Sequence, residues 1–356
     1  MRVLLDCRMS SWSGVGRYTR SLARALARRS DIDLVQLVRR GDEPPADAPT
    51  LRATGSPLSP WGASSFGAAV AAVRPHVTHC AHFPTPFPVD YPLVVTLHDV
   101  SPLMVPGVMP NALKRGVYRS MTKRAVRFAD RIITPSEHTA ADIARLFPAS
   151  TGKTTVVPLA ADDFASGPVG TLPGWLAGTP YVFSMGNTKP HKDIPTLLRA
   201  FASIASEHPS VMLVLAGVDP GGYVRSVLGD TDVAHRVRFT GALDDSTLRA
   251  LYVNASAFVF PSAYEGFGLP PLEAMALGTP VVCSDAASLP EVVGCAALSF
   301  AAGDIQALAD ALRLILTDGS VRDRLAGAGR GRAALFSWDR TAELTVSVYE
   351  QAVGCR

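Results

Sequence analysis

The sequence predicts an α/β protein of two doubly wound domains, and three observations predict it. Short continuous apolar runs alternate with longer helical patterns: VLL at 3–5, PLVVTL at 92–97, RIITP at 131–135, TTVVP at 154–158, YVFSMG at 181–186, VMLVLAG at 211–217, AFVFP at 257–261 and TPVVC at 279–283. Parallel strands read this way when crossover helices cover both faces. The 356 residues exceed what one hydrophobic core usually serves. Between Pro158 and Pro180, PLAADDFASGPVGTLPGWLAGTP packs four prolines and four glycines into a stretch without periodicity, and the alternation restarts beyond it. The domains are therefore set at 1–165 and 170–335, with a ligand cleft expected between them near the carboxyl ends of their strands.

With 47% hydrophobic and 18% charged residues the composition is that of a globular protein, and a net charge of +3 gives no case for a nucleic-acid partner. The five cysteines (Cys7, Cys80, Cys283, Cys295, Cys355) form no CxxC pair and are odd in number, indicating neither a disulfide framework nor a zinc knuckle. Asp6 breaks the apolar run of MRVLLDCRM, which does not fit a signal peptide, and no apolar window of about 18 residues occurs. A cytoplasmic address is expected.

Taken in order, the first strand leads into SSWSGVGRYTRSLARALARR, with Gly14 and Gly16 at the strand-to-helix turn, where a bare backbone and a helix N-terminus suit an anion. A simple tight turn explains the two glycines as well. No third glycine follows and no acid stands about 20 residues on at the end of a second strand, so a nicotinamide cofactor is disfavoured. The helix from Val15 to Arg29 is amphipathic, with Val15, Tyr18, Leu22 and Leu26 opposite Arg17, Arg20, Arg24 and Arg28. PLVVTL runs into His98-Asp99, at the strand end where open sheets place ligands; a satisfied, partly buried histidine is the alternative. A second basic helix, from Asn111 to Arg131, carries seven Lys/Arg and one acid, with Val117, Tyr118, Met121, Ala125 and Phe128 on one stripe.

In the second half, Lys189, His191 and Lys192 crowd the turn before a helix with Asp193 as N-cap and Pro195 just inside, which reads as a phosphate site or as a solvated basic turn. AFVFP is a strand, Ser262 to Leu269 a loop, and PPLEAMALG a short helix with Pro271 near its first position, ended by Gly278. Glu273 then falls in the first helical turn, where the dipole stabilises an acid by roughly 0.3–1 kcal/mol. Glu265, between Tyr264 and Gly266, has no partner in the sequence, so ligand hydroxyls explain it better than packing does. From Ser337 the chain ends in a helix, set at 338–356, with Ser-Trp-Asp at its N-cap region.

Glu265 and Glu273, separated by seven residues in YEGFGLPPLEAMALGTPVV, resemble the signature of the retaining glycosyltransferases of family 4, which have two facing Rossmann-like domains, the GT-B fold. SGVGRYTRSLARAL, VTLHDVSPL, PSEHTAADIARLF, MGNTKPHKDIPTLLRAF and RFTGALDDSTLRALY support the resemblance in the family's order over nearly the whole chain. The His-Asp and GVGRY forms look most like bacterial mannosyltransferases that use GDP-mannose. The resemblance implies that Gly14 and Gly16 line the cleft near the donor diphosphate and acceptor, and that His98 sits beside the transferred sugar. It further implies that Lys192 meets the diphosphate; where many relatives add an arginine, either Lys189 substitutes or the diphosphate is held with one cation fewer. Glu265 would hold sugar hydroxyls with amides at Phe267, Gly268 and Leu269, and Glu273 would bind the ribose. The final helix would cross back to the first domain. The chain departs from many relatives in having Asn187 and His191 where an arginine stands, and Asp193 where the loop has an asparagine.

Under this resemblance the enzyme retains anomeric configuration, with Lys192 and two helix N-termini answering the leaving-group charge. No DxD stands at a suitable strand end, since Asp162-Asp163 falls in the linker and Asp244-Asp245 reads as a helix N-terminal pair, so no metal and no cofactor beyond the nucleotide sugar is expected. The acceptor would be a glycan, a lipid-linked or a small-molecule hydroxyl. The two basic helices belong to the acceptor half; they are either solvated faces or contacts to an anionic membrane at its inner face. Alternatives are a sugar-nucleotide epimerase or hydrolase of the same fold, which would consume donor without acceptor, and a non-catalytic partner subunit.

Overall fold

In the computed structural model, which describes residues 1–54, 57, 59–82 and 90–355, the runs of the first half become an all-parallel sheet. Its strands are β1 (Arg2–Asp6), β2 (Asp33–Arg39), β3 (Thr50–Ala53), β4 (Val77–Cys80), β5 (Leu93–Thr96), β6 (Arg131–Thr134) and β7 (Thr154–Val156), in the order 3-2-1-4-5-6-7. β1 is central: Val3 aligns with Leu34 of β2 on one side and Val77 of β4 on the other. The strand order reverses between β1 and β4, which makes that edge the switch point where doubly wound sheets bind ligands. Leu4, Phe66, Val95, Ile132 and Ile143 are among the buried core residues.

This compact unit takes in Met1–Met104, Met109–Leu159 and Ser337–Arg356, of which Arg356 lies outside the described residues. The final helix, Trp338–Gly354, thus packs with the first half. Ser337 Oγ caps it by accepting from the Arg340 amide at 3.2 Å, Thr341 Oγ1 donates to the Pro158 carbonyl at 2.8 Å, and Trp338 and Tyr349 are buried.

Two sequence readings shift in this unit. The first helix runs Ser13–Ala27, so Gly14 and Gly16 lie inside its first turn and not in a turn before it. Gly16 is glycine for packing: a Cβ there would overlap the Ser10 carbonyl, whereas one at Gly14 meets nothing. In the helix Ala112–Phe128 the buried residues are Thr122, Ala125 and Val126, flanked by half-buried Tyr118, Met121 and Phe128. Val117 is 51% exposed, because 100° per residue carries it off the face that Tyr118 and Thr122 share.

The second unit, Ala160–Phe336 with Val105–Val108, holds a parallel sheet of β8 (Tyr181–Met185), β9 (Met212–Ala216), β10 (Val237–Phe239), β11 (Ala257–Phe260), β12 (Val281–Ser284) and β13 (Leu298–Phe300). The order is 10-9-8-11-12-13, so the switch point lies between β8 and β11, where Phe258 aligns with Phe183. Residues 160–165, grouped from sequence with the first domain, fold here as the short helix Asp162–Ala165. Phe164 is buried, and Arg249 donates to its carbonyl at 3.2 Å and to that of Pro168 at 2.7 Å. Asp244 caps the helix Asp245–Asn254 through the Thr247 amide at 2.8 Å.

Candidate active site

The loops that leave β8 and β11 lie side by side at the second switch point, and one charged side chain of each meets the other. The turn after β8 closes as a 3₁₀ segment, Pro190–Lys192, and the His191 carbonyl accepts from the Ala263 amide of the neighbouring loop at 2.8 Å. Lys192 lies against Gly186, whose added Cβ would stand 3.5 Å from the lysine methylenes, and its ammonium sits 5.3 Å from the Phe260 ring centroid. From there Lys192 Nζ donates to Glu265 Oε1 at 2.7 Å, with the two side chains 17% and 15% exposed. Glu265, partnerless in the sequence, therefore has an ion-pair partner. Lys189 is exposed in the same turn, its amide bonded to Asn187 Oδ1 at 3.1 Å, and takes no part in the pair. Asp193 occupies the N-cap position with φ +43° but makes no side-chain cap bond, so it is a left-handed connector instead of the predicted cap.

The Glu265 loop is held from beneath: Ser288 Oγ lies 2.9 Å from the Glu265 carbonyl and 2.8 Å from that of Phe267. Phe267 is buried edge-on to Phe336, with centroids 5.9 Å apart. Gly268 has φ +114°, and a Cβ there would stand 2.7 Å from Leu289 Cδ2, so both conformation and space call for glycine. The helix that follows begins at Leu269, earlier than predicted. Pro270 and Pro271 supply no N–H, so this end can offer a ligand the amides of Gly268 and Leu269 only.

The early start moves Glu273 out of the first turn and removes the helix-dipole explanation. It is 2% exposed, and Tyr252 Oη donates to Glu273 Oε2 at 3.0 Å. The Tyr252 ring is fixed by Phe183 and Phe258, each 5.1 Å away between centroids. Second-unit residues Lys192, Glu265, Phe267, Gly268, Leu269 and Glu273 thus belong to two adjoining loops and one helix.

His98, Gly14 and Gly16 belong to the first unit. His98 follows β5; its Nε2 lies 2.8 Å from the Ala81 carbonyl and its ring meets Tyr18 edge-on at 4.7 Å. Burial pushes its pKa below 6.5, against the opposing pull of the Ala81 bond and Asp99. A carbonyl only accepts, so neutral His98 carries its proton on Nε2 and presents Nδ1 as an acceptor. Sequence reasoning singled out neither Tyr252, Phe260 and Ser288 nor the bond between Lys192 and Glu265. A tyrosine in an apolar helix stripe reads as core, and residues 73 apart carry no signal of contact. Among the described residues no three His, Cys, Asp or Glu side chains converge as metal ligands, and no helix is long and apolar enough to cross a membrane.

Comparison with known proteins gives a consistent answer. The family model Glycosyltransferase Family 4 matches residues 12–163, and Glycosyl transferases group 1 matches residues 174–332. The chain is 34% identical to the O-antigen chain mannosyltransferase B of Escherichia coli over 72% of its own length and 70% of that protein. It is also 34% identical to the MMP α-(1→4)-mannosyltransferase of Mycolicibacterium hassiacum over 65% of its length and 57% of that protein. Among solved structures, sucrose-phosphate synthase from Thermosynechococcus elongatus superposes with a TM-score of 0.80 at 24% identity, covering all of both chains.

Proposed function

The chain belongs to glycosyltransferase family 4 and has the GT-B fold, and from that premise we propose that it moves a hexosyl group, mannosyl by preference, from a nucleoside-diphosphate sugar to an acceptor hydroxyl with retention of anomeric configuration. The mannosyl preference is supported by the two mannosyltransferases at 34% identity, and GDP-mannose is the donor that the proposal takes. The observation that carries the reading is the Lys192–Glu265 pair at 2.7 Å at the second switch point.

Breaking a sugar–diphosphate bond leaves an oxocarbenium-like sugar and a diphosphate anion. Lys192 Nζ, released from Glu265, would meet the diphosphate together with the Gly268 and Leu269 amides, so the leaving-group charge is answered by a cation and fixed dipoles. Lys189 is close enough in sequence to add a second cation. Glu265 Oε1, once Lys192 leaves it, would accept from donor-sugar hydroxyls and face the developing positive charge. Glu273, its carboxylate oriented by Tyr252, would accept from the ribose. His98 would offer Nδ1 to a hydroxyl of the transferred sugar, and Gly14 and Gly16 would give the first helix close approach to the diphosphate and acceptor. This scheme asks for no metal. The acceptor is a glycan, a lipid-linked or a small-molecule hydroxyl. We read the chain as cytoplasmic, with the basic helix Ala112–Phe128, where Leu113 and Val117 stand exposed beside Lys114 and Arg115, able to meet an anionic membrane.

A thermal-shift panel of GDP, UDP, ADP and TDP sugars tests the donor class, because a ligand selective for the folded state raises its melting temperature by mass action. A shift with GDP-mannose alone, followed by transfer with α-configuration kept in the product, is the expected result. Donor consumption without acceptor would point to an isomerase or hydrolase instead.

A further inference from the structure

Behind His98 lies a buried polar string that the reaction scheme does not use. His79 of β4 is fully buried, its Nδ1 2.7 Å from Tyr349 Oη of the final helix and its Nε2 2.8 Å from Thr96 Oγ1 of β5. Thr96 Oγ1 in turn lies 2.9 Å from Tyr18 Oη of the first helix. Burial, reinforced by His98, pushes the His79 pKa down to about 3, so the ring is neutral. A neutral imidazole donates at one nitrogen and accepts at the other, so either tautomer gives one unbroken run of hydrogen bonds from Tyr349 to Tyr18. Tyr349, His79, Thr96 and Tyr18 are each fully buried, which makes loss of any link costly.

The string ends on the ring that touches His98. The two rings are 4.7 Å apart at 78°, with Tyr18 also 6.1 Å from Trp338. The His82 ring flanks His98 at 5.6 Å. His98 is therefore held by Nε2 on the Ala81 carbonyl and by the Tyr18 and His82 rings, and the Tyr18 ring in turn is tied by its hydroxyl to Thr96. We propose that Tyr18 is a positioning residue for His98, and that Tyr349 of the final helix, acting through His79 and Thr96, holds Tyr18 in the place where it keeps His98 Nδ1 aimed at the transferred sugar. The idea rests on the role given to His98 above. It assigns the final helix a part in the reaction beyond covering the sheet.

Tyr18→Phe keeps the ring and removes the bond to Thr96, and Tyr349→Phe cuts the string at its far end. Each is expected to lower kcat about tenfold while donor KM stays within about twofold, since a small misplacement acts on the reacting geometry. In a His98→Ala background the same two changes should have no further effect on kcat, because the group they position is gone. An equal loss in both backgrounds would assign Tyr18 a merely structural role and overturn the proposal. A second arm needs no turnover: the His98 imidazole ¹⁵N signals, assigned by their loss in His98→Gln, should report the Nε2–H tautomer in both proteins, because the Ala81 bond stays, but should shift and broaden in Tyr18→Phe as the ring loses its fixed orientation. Unchanged signals would overturn the proposal, and this arm decides alone if the His98→Ala background is inactive. Failure of the functional reading is seen separately, as no transfer from any donor by the natural protein with the ring signals still responding to Tyr18→Phe.

Discussion

Each sheet carries an ion pair beside its switch point, and the two pairs are built differently. Next to β1, Arg8 and Asp6 are bonded through two nitrogens, Nε to Oδ1 at 2.8 Å and Nη2 to Oδ2 at 2.7 Å. Arg8 Nη1 is spent on the Gly62 carbonyl at 2.6 Å, and the guanidinium lies over Phe66. The side chains are 0% and 9% exposed. Next to β8 and β11, Lys192 and Glu265 share one contact and keep some exposure. The first pair is buried and bidentate, with all three guanidinium nitrogens engaged, which is the form of a pair that holds the fold. The second uses one of the three ammonium donors and one carboxylate oxygen, which leaves capacity for a ligand.

That contrast is open to direct attack. The largest effect is expected at the buried pair: Asp6→Ala leaves Arg8 buried without its counter-charge and should destabilise the first unit by about 3–5 kcal/mol, read by chemical denaturation. At the open pair the effect should fall on function. Glu265→Ala should cut transfer about 10²–10³-fold while the denaturation midpoint barely moves, as measured by single-turnover kinetics beside a melt. An equal loss of stability at both sites would erase the distinction.

Next comes the backbone under the open pair. Gly268→Ala combines a positive φ with a Leu289 clash and should cost about 1–3 kcal/mol; in a Leu289→Ala background, which carries its own cavity cost of about 2–5 kcal/mol, the further loss on Gly268→Ala should be smaller but not zero by calorimetry, because the clash is relieved and the dihedral is not. Acid provides a further probe of the first unit, where burial pushes the pKa of His79 and of His82 down to about 3. The folded pKa lies below the unfolded value near 6.5, so the unfolded chain binds more protons between these values and stability falls as pH drops from about 6.5 toward 3. His79→Gln, which keeps both polar partners without titrating, should flatten that loss when melts at pH 7 and pH 4 are compared. The smallest effect belongs to the exposed Arg28–Asp339 pair at 2.6 Å, where Asp339→Asn should change stability by about 0–1 kcal/mol.

Much of the fold was legible because buried parallel strands are apolar over most of their length, as β11 shows throughout and β5 and β8 show with a threonine in the one and a serine in the other. β2 was not, because DLVQLVR carries Gln36 in its centre. That side chain is fully buried and satisfied by Ala46, with Nε2 donating to its carbonyl at 2.9 Å and Oε1 accepting from its amide at 3.0 Å. β4 hid its strand character behind His79 in the same way. Of the site, residue types and order were readable, since a glycine-flanked acid in a loop and a basic turn before a helix are local features. Contacts were not. The reading that Glu273 had a helical reason and Glu265 had only a ligand reversed in part: Glu265 meets Lys192, and Glu273 is held by Tyr252 from another helix.

The sequence by itself determined the class of fold, the break near Pro158–Pro180, the family and the identity of the charged residues, because these follow from local periodicity and motif. Tertiary structure alone decided which charges are buried in bidentate pairs and which keep exposure and open donors. Pairing across 73 residues at Glu265, or across 270 at His79 and Tyr349, depends on which loops the sheet order sets side by side, and hydrogen-bond distance has no periodicity along the chain.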